Sequence, residues 1–149
     1  MNKKFFIAGV VTSAVHLLMH VLAYVLLLKD LYERYPAIPE GIPGQWERMP
    51  GRLVPWGLAV SSLAFGFFIT LLMSHTGART FLAGLKTGFA PALLFWSSIN
   101  FGLYASSYMF SSVSLFADLA CSTTIMTVAC AVSARVLGSG ANRLKTINL

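Results

Sequence analysis

Charged side chains are scarce in this chain. Asp, Glu, Lys and Arg make up 11% of its 149 residues, whereas hydrophobic residues make up 56%. A soluble globular domain carries roughly a quarter of its residues as charged side chains. The composition leaves no room for a separate soluble domain, so we treat residues 1–149 as one domain. The net charge of +6 comes from basic residues that form no stripe, and it does not predict a nucleic-acid partner.

Cysteine is nearly absent, and so are the familiar catalytic motifs. Cys121 and Cys130 lie in one apolar run, about 13 Å apart along a helix, which is too far for a disulfide. We interpret both as small packing residues. The sequence shows no Gly-rich phosphate-binding loop, no nucleophile elbow and no zinc-binding spacing. We therefore predict no catalytic residue, and these absences favour a protein that is not an enzyme.

Long apolar runs are what the chain does contain. A helix needs roughly 20 mostly apolar residues to cross a hydrocarbon core of about 30 Å. The first run has no charged residue and is longer than the roughly 7–15 residues of a signal-peptide core, so we predict a retained span. The predicted fold is an all-α membrane protein, an antiparallel bundle of four transmembrane helices with a polar tail at 138–149. The predicted spans are 5–28, 53–73, 81–108 and 112–137.

The basic residues predict the orientation of the bundle, because Lys and Arg are enriched on the cytoplasmic side. One side receives Lys3, Lys4, Arg79, Lys86, Arg135, Arg143 and Lys145. The other receives Lys29, Arg34, Arg48 and Arg52, balanced by Asp30, Glu33, Glu40 and Glu47. We predict that both termini lie in the cytoplasm.

The segment 29–52 is the only long connection, and its prolines and glycines exclude a continuous helix. We predict an ordered outer loop with one helical turn at 30–34. Tyr32 and Tyr35 suit the headgroup layer, where amphipathic rings settle.

Polar residues recur on one face of three spans, and such a face must point into the bundle rather than at lipid. In the first span these residues are Gly9, Thr12, Ser13, His16, His20, Ala23 and Tyr24. Similar depths bring residues of the other spans to the same layer, in the outer half of the membrane. The predicted ligand or proton site comprises His16, His20, Asn100, Tyr104 and Asp118. The alternative is an interhelical hydrogen-bond cluster with a purely structural role.

His16 and His20 are one helical turn apart, a spacing that can place two ligands on one metal ion. A third ligand would have to be Asp118 or His75, and His75 belongs at the opposite membrane surface. We predict no metal and no cofactor, with a haem, pigment or metal at His16 or His20 as the weaker alternative. Phe65 and Trp96 are interpreted as packing or lipid-facing residues.

The order of these features resembles a widespread group of small, uncharacterised four-span bacterial membrane proteins that share a domain of unknown function. The resemblance covers nearly the whole chain. It rests on Phe5 to Gly9, Leu26 to Tyr32, Trp56 to Leu58, Phe81 to Phe89, Asn100 to Tyr104, and Asp118. The resemblance implies the four-span architecture and the bacterial inner membrane, and it implies no particular activity.

The leading functional prediction is a non-enzymatic structural or accessory component of an inner-membrane assembly. It rests on ladders of small residues, which let helices approach closely: Gly57-Ser61, Ser62-Gly66-Thr70 and Gly84-Gly88-Ala92. The expected partners are the bilayer, other membrane proteins or further copies of the chain. The second hypothesis is a small dimeric carrier or proton-coupled permeation protein that uses Asp118, His20 and Asn100. The third is the His-ligated haem, pigment or metal site.

Overall fold

A computed structural model describes residues 3–37 and 54–139 of the chain. In these two ranges 88% of the residues are helical and there is no strand. The elements are α1 (Lys3–Ala23), a π-helical segment (Tyr24–Leu28), α2 (Lys29–Arg34), α3 (Pro55–Thr76), α4 (Phe81–Ser106) and α5 (Ser112–Gly138). Most of the predicted outer loop and nearly all of the predicted polar tail lie outside the described residues.

The first helix is longer than the sequence predicts. α1, the π-helical segment and α2 follow one another without a break from Lys3 to Arg34, a run of 32 residues. The sequence-based boundary at Leu28 rests on the charges that follow it, but Lys29 and Asp30 are exposed and continue the helix. The helix stops just before Pro36, where the proline ring disfavours helical geometry at the preceding residue.

Three helices are long and apolar enough to cross a membrane: Lys3–Arg34, Pro55–Thr76 and Ser112–Gly138. By length and composition, the chain is therefore a multi-pass membrane protein. α4 is 26 residues long, but Lys86, Pro91 and Asn100 interrupt its apolar sequence. For this reason α4 is not one of the three helices that qualify as membrane spans by length and hydropathy.

α5 is the central helix of the bundle, since α1, α3 and α4 all pack against it. α1 also packs against α3, whereas α3 and α4 meet mainly through the aromatic rings of Phe65 and Phe68 on α3 and of Phe95 and Trp96 on α4. α4 and α5 are antiparallel, because Gly84 lies against Ala131 near one end and Asn100 bonds to Asp118 towards the other. The buried core is built mainly from small residues and methionines: Ile69, Met73, Ala78, Ala92, Met126, Ala129, Cys130 and Ala134.

Two of the three predicted small-residue ladders lie at helix contacts. A Cβ added at Gly66 would come within 2.6 Å of the Ser13 backbone, and one at Gly84 within 2.6 Å of Cα of Ala131. One at Gly88 would meet the side chain of Cys130. These positions therefore require glycine for close packing. The Gly57-Ser61 ladder makes no such contact, since a Cβ at Gly57 would meet only the neighbouring Val54.

Candidate functional site

The carboxylate of Asp118 joins three elements of the bundle. Its Oδ1 accepts a hydrogen bond from the hydroxyl of Tyr32 on α2 at 2.9 Å. Its Oδ2 accepts one from Nδ2 of Asn100 on α4 at 2.8 Å, and another from Oγ of Ser122, one turn along α5, at 3.3 Å. We call these four residues the Asp118 cluster. Carboxylate oxygens that accept such donors satisfy most of their hydrogen-bonding capacity inside the protein.

Asn100 and Asp118 were both predicted to face the interior, and the structure brings them together. Asn100 is 1% exposed, so its amide has lost contact with solvent and requires an internal partner. The Asp118 carboxylate provides that partner. The hydrogen bond links α4 to α5 at a level where no ladder of small residues holds the two helices.

Tyr32 was predicted to lie in the headgroup layer, and the structure places it in the Asp118 cluster. In a regular α-helix, Tyr32 would lie about 120° around the axis from His20, away from the polar face. A π-helical turn accommodates one extra residue, which reduces the offset to about 20°. The segment Tyr24–Leu28 is π-helical, and it therefore returns Tyr32 to the face that carries Ser13 and His20. The feature of the sequence that could have indicated this longer helix is the run of helix-forming residues beyond Leu28.

The structure does not bring Tyr104 into contact with the Asp118 cluster. The side chain of Tyr104 is 44% exposed and makes no hydrogen bond within the described parts of the chain. Tyr104 follows Asn100 by one turn on the same face of α4, but the described helices leave its side chain exposed.

His16 and His20 form a second group, between α1, α3 and α4. Their ring centroids are 4.3 Å apart, and the ring of His16 also lies 4.6 Å from that of Phe65. The ring of Trp96 is 5.8 Å from that of His20 and 5.9 Å from that of Phe65. We call these four side chains the aromatic cluster. His16 and Phe65 thus belong to one packed layer rather than to a lipid-facing surface.

The nitrogen atoms of the aromatic cluster are poorly satisfied. His16 is 8% exposed, and both of its ring nitrogens are buried without a hydrogen-bond partner among residues 3–37 and 54–139. The indole nitrogen of Trp96 is likewise buried without a hydrogen-bond partner within those ranges. Nδ1 of His20 lies 3.3 Å from the carbonyl oxygen of His16. A carbonyl only accepts, so Nδ1 carries the proton and Nε2 of His20 keeps its lone pair.

The Asp118 cluster and the aromatic cluster are separate groups. Among the described residues the hydrogen bonds of Asp118 come from Tyr32, Asn100 and Ser122, and from neither histidine. Within the described ranges no three His, Cys, Asp or Glu side chains are placed to share a metal ion. His75 is exposed at the far end of α3, where its Nδ1 lies 2.9 Å from the carbonyl oxygen of Leu71. It is therefore not a third ligand.

An apolar groove of about 400 Å³ runs between α1 and α5. Its lining includes Met19, Leu22, Cys121 and Ile125. Cys121 and Cys130 are both free thiols, and Cys130 is fully buried against Gly88. The packing role predicted for the cysteines thus fits Cys130, whereas Cys121 faces the groove.

Comparisons with family models, with curated proteins and with solved structures found no match to this chain. The geometry of the two clusters is therefore the basis for any functional assignment.

Proposed function

We propose that the protein is a non-enzymatic structural or accessory component of a bacterial inner-membrane assembly, built as a four-span bundle of the kind that its sequence resembles. One observation carries this proposal. The carboxylate of Asp118 accepts hydrogen bonds from α2, α4 and its own helix. A carboxylate held in this way fixes helices relative to one another. The surface that remains available for contact with partner proteins is the apolar outer surface of the helices.

The length and packing of α4 support a fourth span. Its 26 residues give a helix about 39 Å long, which exceeds a hydrocarbon core of about 30 Å. α4 runs antiparallel to α5 from the Gly84 contact to the Asn100 bond, and α5 is itself long and apolar enough to cross. The polar residues that lower its hydropathy include Asn100, which faces α5 rather than lipid.

The described charges support cytoplasmic ends for the sequence. Lys3, Lys4, Arg79, Lys86 and Arg135 are basic and lie towards the end of the bundle where α1 begins and α5 ends. That gives +5 among the described residues at this end. At the other end, Lys29 and Arg34 are offset by Asp30 and Glu33, which gives a net charge of zero. The basic end faces the cytoplasm under the positive-inside rule.

Crosslinking in native membranes tests the accessory role. A membrane-permeable crosslinker, followed by extraction in mild detergent and mass spectrometry, is expected to recover the chain in one reproducible complex with itself or another membrane protein. The Asp118→Asn variant should assemble at a reduced level, because it weakens the bundle. Recovery of the chain only as a monomer, before and after crosslinking, would contradict the proposal.

The position of the ionisable Asp118 within a long apolar helix favours a second candidate, a small dimeric proton-coupled carrier that also uses His20 and Asn100. In proteoliposomes with a pH gradient, this function predicts a proton flux that Asp118→Asn abolishes, because an amide cannot exchange the proton. His75→Gln is the matched control, since His75 is exposed and distant from both clusters. The same flux in the wild type and Asp118→Asn, or none in the wild type, would refute the carrier.

A further inference from the structure

A cleft of about 460 Å³ lies between the end of α3 and the first turns of α4, and none of its residues belongs to either cluster. It is lined by Thr76, Gly77, Ala78, Ala83, Lys86 and Thr87. Its volume falls within the roughly 300–1,000 Å³ that is typical of ligand sites. Most of the lining residues are small, so space remains beside the one cation, Lys86.

Lys86 is charged although it lies inside a membrane-length helix. It follows Phe81, the first residue of α4, by five residues, which places it about 7.5 Å along the helix axis. A lysine at such a depth extends its ammonium group to the membrane surface or pairs with an anion. Lys86 is exposed, and it makes no hydrogen bond or ion pair with the described parts of the chain. Its three N–H donors are therefore available to a ligand.

The turn that ends α3 adds two backbone donors to the cleft. Gly77 has a φ of 71°, and a left-handed residue directly after a helical one makes successive N–H groups into a concave anion site. The guanidinium of Arg79 donates to the carbonyl oxygens of Met73 and Ala78 at 3.4 and 2.9 Å. Within residues 3–37 and 54–139 the N–H groups of Gly77 and Ala78 have no hydrogen-bond partner. Both can donate to a ligand in the cleft.

The charges at this end of the bundle favour an anion. The five described residues that are charged here are all basic, whereas the three described acidic residues lie towards the other end: Asp30, Glu33 and Asp118. Such an imbalance attracts anions and repels cations. Basic pockets between membrane helices bind the headgroups of anionic lipids.

The surface next to the cleft favours a lipid over a soluble anion. Leu93 and Leu94 follow Lys86 and Thr87 by seven residues, so they lie two turns further along the same face of α4. Their side chains are 38% and 71% exposed. A molecule with an anionic head and apolar chains matches both parts of this face, whereas a soluble phosphate matches only the cleft.

We propose that the cleft binds the headgroup of an anionic phospholipid. Lys86 and the N–H groups of Gly77 and Ala78 donate to the phosphate, and the acyl chains lie along Leu93 and Leu94. The site requires this end of the bundle to meet a membrane surface. It does not require the accessory role, and either proposal can fail without the other.

Native mass spectrometry of the full chain, released from mild detergent, tests the proposal by counting bound lipids. In a titration with phosphatidylglycerol we expect one tightly bound lipid per chain. Phosphatidylcholine with the same acyl chains should bind at least about fivefold more weakly, because its choline cation is repelled by the basic end. Equal affinity for the two lipids would overturn the proposal.

Substitutions at Lys86 locate the site. Lys86→Gln should weaken phosphatidylglycerol binding about tenfold, which corresponds to about 1.4 kcal/mol, whereas Lys86→Arg keeps the charge and should bind as the wild type does. Lys4→Gln is the matched control, because it removes the same charge from the same end without lining the cleft. At about 0.15 M salt, which screens more distant charges, it should change the affinity less than about twofold. Equal weakening by Lys86→Gln and Lys4→Gln would overturn the proposal.

Two further measurements separate the cleft from general attraction to the basic end. Thr87→Leu fills part of the cleft without a change of charge, and Thr87 is exposed, so the variant should fold and bind the lipid more weakly. Unchanged affinity would place the lipid elsewhere and overturn the assignment. Inorganic phosphate at millimolar concentration should leave the lipid bound. Its displacement by phosphate would assign the cleft to a soluble anion and overturn the choice of ligand.

Discussion

Removal of one residue from the π-helical segment should be tolerated, although a deletion inside a membrane helix is normally severe. A π turn accommodates one extra residue, so deletion of Leu26 converts the segment to regular α-helix and leaves Tyr32 on the face that meets Asp118. Leu26 is 70% exposed, so little packing is lost with it. We expect the free energy of unfolding to change by less than about 1 kcal/mol.

Deletion of Leu94 in α4 is the matched control, because its side chain is 71% exposed and α4 contains no π-helical turn. Without an extra residue to absorb the loss, one half of α4 rotates by about 100° relative to the other. Either Gly88 loses its close contact with Cys130, or Asn100 loses its hydrogen bond to Asp118. Poor packing and one interhelical hydrogen bond together cost about 2–5 kcal/mol.

Unfolding of both deletion variants by SDS in mixed micelles, followed by circular dichroism, measures these changes. The Tyr32→Phe substitution in the Leu26-deletion background should cost as much as it does in the full-length chain, because the bond to Asp118 is retained. A Leu26 deletion as destabilising as the Leu94 deletion would refute the role of the π-helical segment.

Two further predictions concern close packing and thiol access. Gly84→Ala should destabilise the bundle by about 1–3 kcal/mol in the same assay, because the added Cβ would lie 2.6 Å from Cα of Ala131. Gly102→Ala, whose added Cβ meets nothing within 4 Å, should be neutral or stabilising, and equal costs for the two would contradict the packing of α4 on α5. N-ethylmaleimide in membranes should modify Cys121, which lines the groove, and leave the fully buried Cys130 unmodified until the protein unfolds, as read by mass spectrometry. Modification of Cys130 in the folded protein would be the contrary result.

Periodicity predicted the inner face of the first helix well. Gly9, Thr12, Ser13 and His16 are buried as the pattern required, and Leu18 and Leu22 are exposed, whereas Tyr24, predicted on the same inner face, is 41% exposed. The pattern works here because a polar or small group has no partner in lipid and must turn inward. The glycines of α4 predicted a close helix contact, since glycines four residues apart permit close approach, and the structure supplies α5 as the partner.

The same reasoning could not place the two tyrosines. Tyr32 enters the Asp118 cluster only because the helix departs from its regular period, and a fixed period of 3.6 residues has no means of representing that departure. Tyr104 has the correct spacing from Asn100, but burial also depends on where the neighbouring helix starts. Such information belongs to the tertiary structure.

The most direct test of the central claim, that the Asp118 cluster holds the helices together, is a double-mutant cycle between Tyr32→Phe and Asp118→Ala. The free energies of unfolding of the wild type, the two single variants and the double variant are measured by SDS unfolding in mixed micelles. The claim predicts a favourable coupling of about 0.6–1.7 kcal/mol between the two side chains. Additive effects, with no coupling within error, would contradict it.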